Sequence, residues 1–540
     1  MSVAATHPAR VAPLQRVRTR ARALPAWVVV AAGLSALLGI SLALRTTALH
    51  AGFWIDEGLS VGISSHPFLD VPSVLRQDGS PPLYYLVLSV WMTLFGHGQA
   101  ATHILSLTFA LLLVPAAFWG ARSLFGDRAG WCTAALAALN PFVTYYAQET
   151  RMYALVVLLG LLVTVCFVNA FVHGRRRYRV PYGVALAALV YTHNWGLFLA
   201  MGTVVALVWP WRARRGPQRR AFVRDVALAY GVTALLYAPW LPSLAFQAAH
   251  TGAPWSEQPS LADLLGPLVN ILGTPLVPLG LLLAGGAGLA AIAQRGADER
   301  APTAQVARDR TAVWALITIP LAGLALAWLA SQASPAFAGR YFAILVGPLL
   351  LLSGIGLSRS GRMGLIALAF ILVLWFDPRT HQLRSKSDAR TVAARISSSV
   401  QAGDLVVSVH PEQAPLLHYY FPPNLRYATA LGPMPDPGVF DWRDALDRLR
   451  AAHPTPTLHG LVRTMHPGQT LILTLPIIRT ARWGAPWTAL VKKRSSQWQS
   501  AADRDPRLRR LGRQPDLDGV RPPRGVRVVL YRVTQGVSAG

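Results

Sequence analysis

Eleven apolar runs follow one another between Leu24 and Phe376, separated by short polar connections: 24–44, 81–97, 101–121, 129–146, 150–172, 180–209, 222–242, 264–293, 311–331, 341–357 and 363–376. A helix of about 20 apolar residues crosses a hydrocarbon core roughly 30 Å thick. Such a series excludes a soluble single-core enzyme and predicts an α-helical polytopic membrane protein. Composition agrees, since only 14% of the residues are charged, against about 25% in soluble chains. The first run follows Arg10, Arg16, Arg18, Arg20 and Arg22, as a signal peptide's core would. At about 20 residues it exceeds the 7–15 of such a core, so it is read as a retained span after a basic cytoplasmic N-terminus, 1–23.

Arginines fall in only some connections: Arg122 and Arg128; Arg175, Arg176, Arg177 and Arg179; Arg212, Arg214, Arg215, Arg219 and Arg220; Arg295, Arg300, Arg308 and Arg310; Arg359 and Arg362. Positive charge marks cytoplasmic loops. Alternation of sides then makes 180–209 a hairpin of two short spans turning near His193 and Asn194, and makes 81–97 a re-entrant or interfacial segment. About 11 spans result, forming a membrane domain over 24–376 with an outer loop at 45–80. The chain leaves the membrane on the outer face at Asp377.

From there, 377–540 reads as an extracytoplasmic α/β domain. Segments 388–401 and 412–421 are amphipathic, 404–409, 470–475 and 526–533 are strand-like, and the proline-rich 422–437 and 515–523 are loops. This domain holds 24 of the 51 Lys and Arg, against 12 acids. A basic outer face suits either anionic headgroups or plain solvation, and on that side of a membrane it does not point to nucleic acid. The two cysteines, Cys132 and Cys166, lie in apolar runs and make no disulfide framework.

Ionisable residues at the outer ends of spans are costly unless used or paired. The first outer loop has Phe53-Trp54-Ile55-Asp56-Glu57 and ends Arg76-Gln77-Asp78-Gly79-Ser80-Pro81-Pro82-Leu83-Tyr84-Tyr85. In a partly desolvated carboxylate pair one member takes a raised pKa suited to a general base; a helix cap is the alternative reading. Glu149 and Arg151, in Tyr145-Tyr146-Ala147-Gln148-Glu149-Thr150-Arg151-Met152-Tyr153, either neutralise one another or serve a site. Arg340, in Gly339-Arg340-Tyr341-Phe342, suits phosphate oxygens or an aromatic anchor at the boundary. His250 and Glu257 share another outer loop.

Trp54-Ile55-Asp56-Glu57, Asp78-Gly79-Ser80-Pro81-Pro82-Leu83-Tyr84-Tyr85, Asn140-Pro141-Phe142 with Tyr146 to Ala154, and Thr192-His193-Asn194 together resemble bacterial integral-membrane glycosyltransferases of the protein O-mannosyltransferase-like group. The resemblance covers roughly 25–360 and implies glycosyltransferase fold C and a polyprenyl-phosphate sugar donor whose tail lies among the spans. It implies Asp56 as catalytic base and Glu57 as positioning the acceptor or a metal. Asp78, Tyr84, Glu149, Arg151, Tyr153, His193, Asn194 and Arg340 would bind substrate, with Arg151 and Arg340 facing the leaving phosphate. An acceptor hydroxyl would displace polyprenyl phosphate with inversion. Glu57 with His193 or His250 is a candidate set for a divalent ion. Protein, glycan and lipid all remain open as acceptor, and no glycine fingerprint for a nucleotide donor follows a strand.

Two other classes fit the composition. A lipid-linked sugar transporter or flippase requires repeats and interrupted helices near mid-membrane, and no convincing repeat is present. A non-catalytic sensor of cell-wall sugar would not need Asp56.

Overall fold

The computed structural model describes residues 25–294, 303–478, 484–513 and 524–534. The basic segment 1–23, the loop arginines Arg295 and Arg300, and the proline-rich 515–523 lie outside the described residues.

The first half is helical throughout: α1 (Ala26–Arg45), α2 (Ile55–Ser64), α3 (Val71–Asp78), α4 (Leu83–Phe95), α5 (Gln99–Phe125), α6 (Asp127–Leu139), α7 (Pro141–Tyr146), α8 (Tyr153–Phe167), α9 (Arg179–Thr192) and α10 (Gly196–Ala206). Among the described residues seven helices are long and apolar enough to cross a membrane: Ala26–Arg45, Gln99–Phe125, Tyr153–Val172, Pro217–His250, Leu276–Gln294, Ala304–Ala333 and Gly339–Arg359. The other four expected crossings are shorter helices, α6, α9, α10 and Gly361–Leu374, of 11 to 14 residues. At 13 residues, α4 is as short as these, and like them falls below the about 20 residues that cross a roughly 30 Å core unaided.

Three expected segments are divided. The run 129–146 breaks at Asn140, whose side chain caps α7 by accepting from the Val143 N–H at 3.1 Å, with Pro141 in the first turn. The run 264–293 breaks at Gly273, whose φ of 82° ends the helix Gly266–Leu272. Half of the loop 45–80 is helical, as α2 and α3. Through the middle of the bundle runs α8, with 94% of its most apolar window buried, against 11% for the peripheral α1. Arg45 ties α1 inward by donating to the carbonyls of Ala110 at 3.0 Å and Ala137 at 2.7 Å.

Beyond the last apolar helix lies one six-stranded sheet in the order β3-β2-β1-β4-β6-β5, built from β1 (Leu405–Ser408), β2 (Arg426–Thr429), β3 (Gly432–Pro433), β4 (Thr470–Ile478), β5 (Leu508–Arg513) and β6 (Arg524–Val533). β1 is parallel to β2 and β4, and β6 is antiparallel to β4 and β5. The strand-like runs are β1, β4 and β6. The stretch 422–437 is not all loop, since it contains β2 and β3. Four residues of strand between prolines leave no alternating pattern to read.

The sheet domain sits directly on α2 and the chain on either side of it. Gly58 and Gly62 of α2 let its backbone approach Leu416 and Gly438: a Cβ at Gly58 would lie 2.6 Å from the Leu416 Cα, and one at Gly62 would lie 2.0 Å from the Gly438 carbonyl oxygen. His66 meets Asp436 at 2.8 Å, the Trp442 N–H donates to the Gln77 carbonyl at 2.8 Å, and the Phe53 N–H donates to the Tyr420 hydroxyl at 2.6 Å. Gly62→Ala forces backbone apart and is expected to cost about 1–3 kcal/mol. Gly39→Ala, which meets nothing within 4 Å, should cost nothing. Thermal unfolding of both variants in detergent checks this, and equal midpoints would refute the close approach.

Candidate active site

The adjacent carboxylates of α2 take different surroundings. Residues one apart on a helix point about 100° from each other, so Glu57 turns into the protein interior while Asp56 turns toward Arg340. Glu57 is fully buried. Its Oε1 accepts from His103 Nε2 at 2.7 Å and from the Thr150 N–H at 2.9 Å; its Oε2 accepts from the Trp54 N–H at 3.2 Å and pairs with Lys386 Nζ at 2.5 Å. Burial alone would raise this carboxyl, but the Lys386 ammonium and then His103 overcome it and hold it down at about 2. The carboxylate is therefore committed to four segments of the protein.

Lys386, 5% exposed, also lies 3.6 Å from Glu149 Oε1. Glu149 is fully buried. Burial pushes its carboxyl up to about 7; Lys386 opposes that shift, and the charges of Glu57 and Asp56 add to it.

Asp56 faces a different set. Its Oδ2 is sealed from solvent with no hydrogen-bond donor among the described residues, and the Arg340 Nε stands 3.7 Å away. Arg340 comes from the short turn Gly339–Phe342. Its guanidinium lies over the rings of Trp255 at 5.0 Å, Tyr341 at 5.4 Å and Trp54 at 5.9 Å, an arrangement that attracts a cation and fixes its plane. Arg151 approaches from the turn between α7 and α8. Its Nη1 donates to the Asp56 carbonyl at 3.2 Å and the Ser60 hydroxyl at 2.9 Å, and the Tyr85 hydroxyl is 3.5 Å away. Its guanidinium lies 5.8 Å from the Tyr153 ring.

Asp78 ends α3 beside Gly79, whose φ of 95° turns the chain. Burial raises its carboxyl; the Ser80 hydroxyl and Arg151 oppose this, and Asp56 adds to it. The turn between α9 and α10 closes the site. There Asn194 Nδ2 donates to the Gly79 carbonyl at 3.0 Å, while its Oδ1 is buried without a donor among the described residues. The His193 ring packs 4.8 Å from Tyr341 and 5.9 Å from Tyr153. Burial first, then Arg151 and Arg340, lowers this imidazole to about 3, so it is neutral.

Asp56, Asp78, Arg151, Tyr153, His193, Asn194 and Arg340 thus come together from five segments. Tyr84 is fully buried; its neighbour Tyr85 makes the contact with Arg151. Glu149 belongs with Glu57 and Lys386. The metal set does not assemble. His193 Nδ1 accepts from the Trp195 N–H at 3.1 Å, His250 Nδ1 faces Asp444 at 3.3 Å, and Glu57 is saturated by protein donors. Among the described residues no three His, Cys, Asp or Glu side chains form a metal-holding group, so Glu57, His193 and His250 do not fit a divalent ion. A cavity of about 520 Å³ between the 250–258 loop and the sheet domain does not include Asp56. Pro254 and Ser256 line it, while Trp255 turns onto Arg340.

Sequence reasoning missed His103, Tyr85, Trp255, Tyr341 and Lys386. One signal was present for the last: the chain has three lysines among its 51 basic residues, and Lys386 alone stands near the end of the apolar runs.

The chain has glycosyltransferase fold C, in an integral-membrane protein with an appended sheet domain. Similar solved structures include ArnT from Cupriavidus metallidurans bound to undecaprenyl phosphate, with 14% identity over 95% of this chain and 99% of that one and a TM-score of 0.59. The arabinofuranosyltransferase AftD from Mycobacteria gives 16% identity, 95% and 40% coverage and 0.53. The oligosaccharyltransferase AglB from Archaeoglobus fulgidus, in complex with an inhibitory peptide and a dolichol-phosphate, gives 12%, 83% and 69%, and 0.51. In sequence, residues 79–242 match the family of dolichyl-phosphate-mannose-protein mannosyltransferases. No curated protein matches the chain.

The two carboxylates are expected to differ in stability effect. Glu57→Gln strands the buried Lys386 and should cost about 3–5 kcal/mol, whereas Asp56→Asn should change stability by under about 1 kcal/mol. Thermal unfolding of the two variants side by side checks this, and equal losses would contradict the division of roles.

Proposed function

We propose that the chain transfers a sugar, hexosyl or pentosyl, from a polyprenyl-phosphate donor to an acceptor hydroxyl on the outer face of the membrane, with inversion. Asp56 is the general base. The observation that carries this reading is the convergence of two guanidinium groups on Asp56: Arg340 Nε lies 3.7 Å from its buried Oδ2, which has no hydrogen-bond donor among the described residues, and Arg151 Nη1 donates to its backbone carbonyl at 3.2 Å. The fold match to ArnT bound to undecaprenyl phosphate and the match to a lipid-phosphate-mannose-dependent family support the donor class. The arginine distribution supports the orientation, with the N-terminus cytoplasmic and the sheet domain outside.

The chemistry follows from the charges. The acceptor oxygen attacks the anomeric carbon as its proton passes to Asp56. The bond from that carbon to the phosphate oxygen breaks, and polyprenyl phosphate leaves with one more negative charge than it had as the diester. Arg340 and Arg151 meet this charge as it develops, with fixed donors in a site shielded from water. The aromatic frame of Trp54, Trp255 and Tyr341 holds the Arg340 fork in place, so orientation is set before reaction. His193, kept neutral, adds no competing charge. Glycan, lipid and protein all remain acceptor classes within this reading.

Asp56→Asn should lower transfer from undecaprenyl-phosphate sugars by at least a thousandfold in a folded preparation. Arg340→Lys, which loses the planar fork, should lower kcat about 10²–10³-fold, the range for one lost transition-state donor. Turnover measured with undecaprenyl-phosphate mannose and undecaprenyl-phosphate arabinose, using envelope membranes as acceptor, tests both. Wild-type turnover by Asp56→Asn would end the assignment.

A further inference from the structure

The residues joining the last apolar helix to the sheet domain run along the chain that leads into α2. Thr380 bonds the Thr47 hydroxyl at 2.8 Å, Arg384 donates to the Thr47 carbonyl at 3.0 Å, and Arg390 donates to the His50 carbonyl at 3.0 Å. Asp388 is held from the other side by the Val526 N–H of β6 at 2.9 Å. Between these ties Lys386 enters the protein interior, 2.5 Å from Glu57 and 3.6 Å from Glu149. Both carboxylates are fully buried, and a buried carboxylate without a counter-charge is strongly disfavoured.

We infer that Lys386 is a positioning residue for the proposed base: its ammonium neutralises Glu57 and Glu149 together, and so fixes the first turn of α2 on which Asp56 stands. This rests on the reading of Asp56 as base. The sheet domain, through this one side chain and its flanking ties, is then required for the geometry of a site made otherwise from the membrane domain. No substrate touches Lys386 in this scheme. It acts through Glu57, whose remaining bonds to His103, Thr150 and Trp54 set the start of α2 against α5 and the α7–α8 turn.

The charge count gives the scheme a signature. Glu57 on α2 and Glu149 from the turn after α7 face the ammonium; His103 on α5 stands against Glu57, and Asp56 on α2 and Tyr145 on α7 act on Glu149. Tyr419 and Tyr420 of the sheet domain feel the charges of both Glu57 and Arg390. One lysine serves two carboxylates, and Glu149 already sits at about 7 through burial. Removing the ammonium raises both acids further. At low pH a proton on Glu149 substitutes for the lost cation; at high pH two carboxylates must ionise side by side.

The test uses the full-length protein in lipid, with Lys386→Met, Lys386→Met/Glu149→Gln and Asp56→Asn beside wild type. Transfer from undecaprenyl-phosphate mannose and arabinose to envelope membranes is followed from pH 6 to 9, with thermal unfolding in parallel. Lys386→Met should lose at least tenfold in kcat at pH 8, less at pH 6, with the donor KM within about twofold of wild type. The double variant should recover most of the loss at pH 8. Wild-type kcat and pH profile for Lys386→Met, in an assay where Asp56→Asn is dead, would overturn the inference and leave the base standing. Full activity of Asp56→Asn would instead remove the base itself. If Lys386→Met does not fold, a folded double variant supports the charge balance, and an unfolded one contradicts it.

Discussion

A single carboxylate, Glu57, joins four parts of the chain that are far apart in sequence. Its oxygens take up a histidine from α5, a backbone N–H from the α7–α8 turn, the N–H of Trp54 at its own helix start, and a lysine from beyond the last apolar helix. Each donor satisfies a group that would be expensive to bury alone. Stability is one result. The other is that the start of α2, and with it Asp56, has one position relative to the bundle and one relative to the sheet domain.

On that frame the site divides its charges between an inner and an outer group. The inner group, Glu57, Glu149, Lys386 and His103, is closed: Glu57 is saturated by its donors, and Glu149, buried beside it, is countered by Lys386 at 3.6 Å. The outer group, Asp56, Asp78, Arg151 and Arg340, keeps unspent capacity: an Asp56 oxygen without a donor and an arginine held by aromatic faces rather than by a carboxylate in contact. Pre-set donors around an uncommitted base are what displacement of a phosphate leaving group needs, because the charge to be stabilised appears only during the reaction.

Much of this was legible in the chain. The apolar runs and the arginines between them define the membrane architecture, and the order of short motifs carries the resemblance to fold C. Asp56, Arg151, His193 and Arg340 follow from their place at the ends of apolar runs, since ionisable residues there need a reason. What pattern alone did not separate was Asp56 from Glu57, because adjacent carboxylates look equivalent until a helix turns one inward. Lys386 was marked only by being a rare lysine after the apolar runs, and its role was hidden for another reason: its partner lies over 300 positions away, and no local pattern records such a contact. The metal set failed on the same ground, since His193 and His250 sit in separate turns. β2 and β3 were hidden by the prolines around them.

The central claim is group transfer from a lipid phosphate with Asp56 taking the proton. The most direct measurement follows sugar-labelled undecaprenyl-phosphate donor in proteoliposomes with envelope acceptor, reading both products and the anomeric configuration of the transferred sugar. The account predicts free undecaprenyl phosphate in equal amount to new glycoside, with the configuration inverted. Label still on its lipid but moved to the opposite leaflet, or transfer with retained configuration, would contradict it.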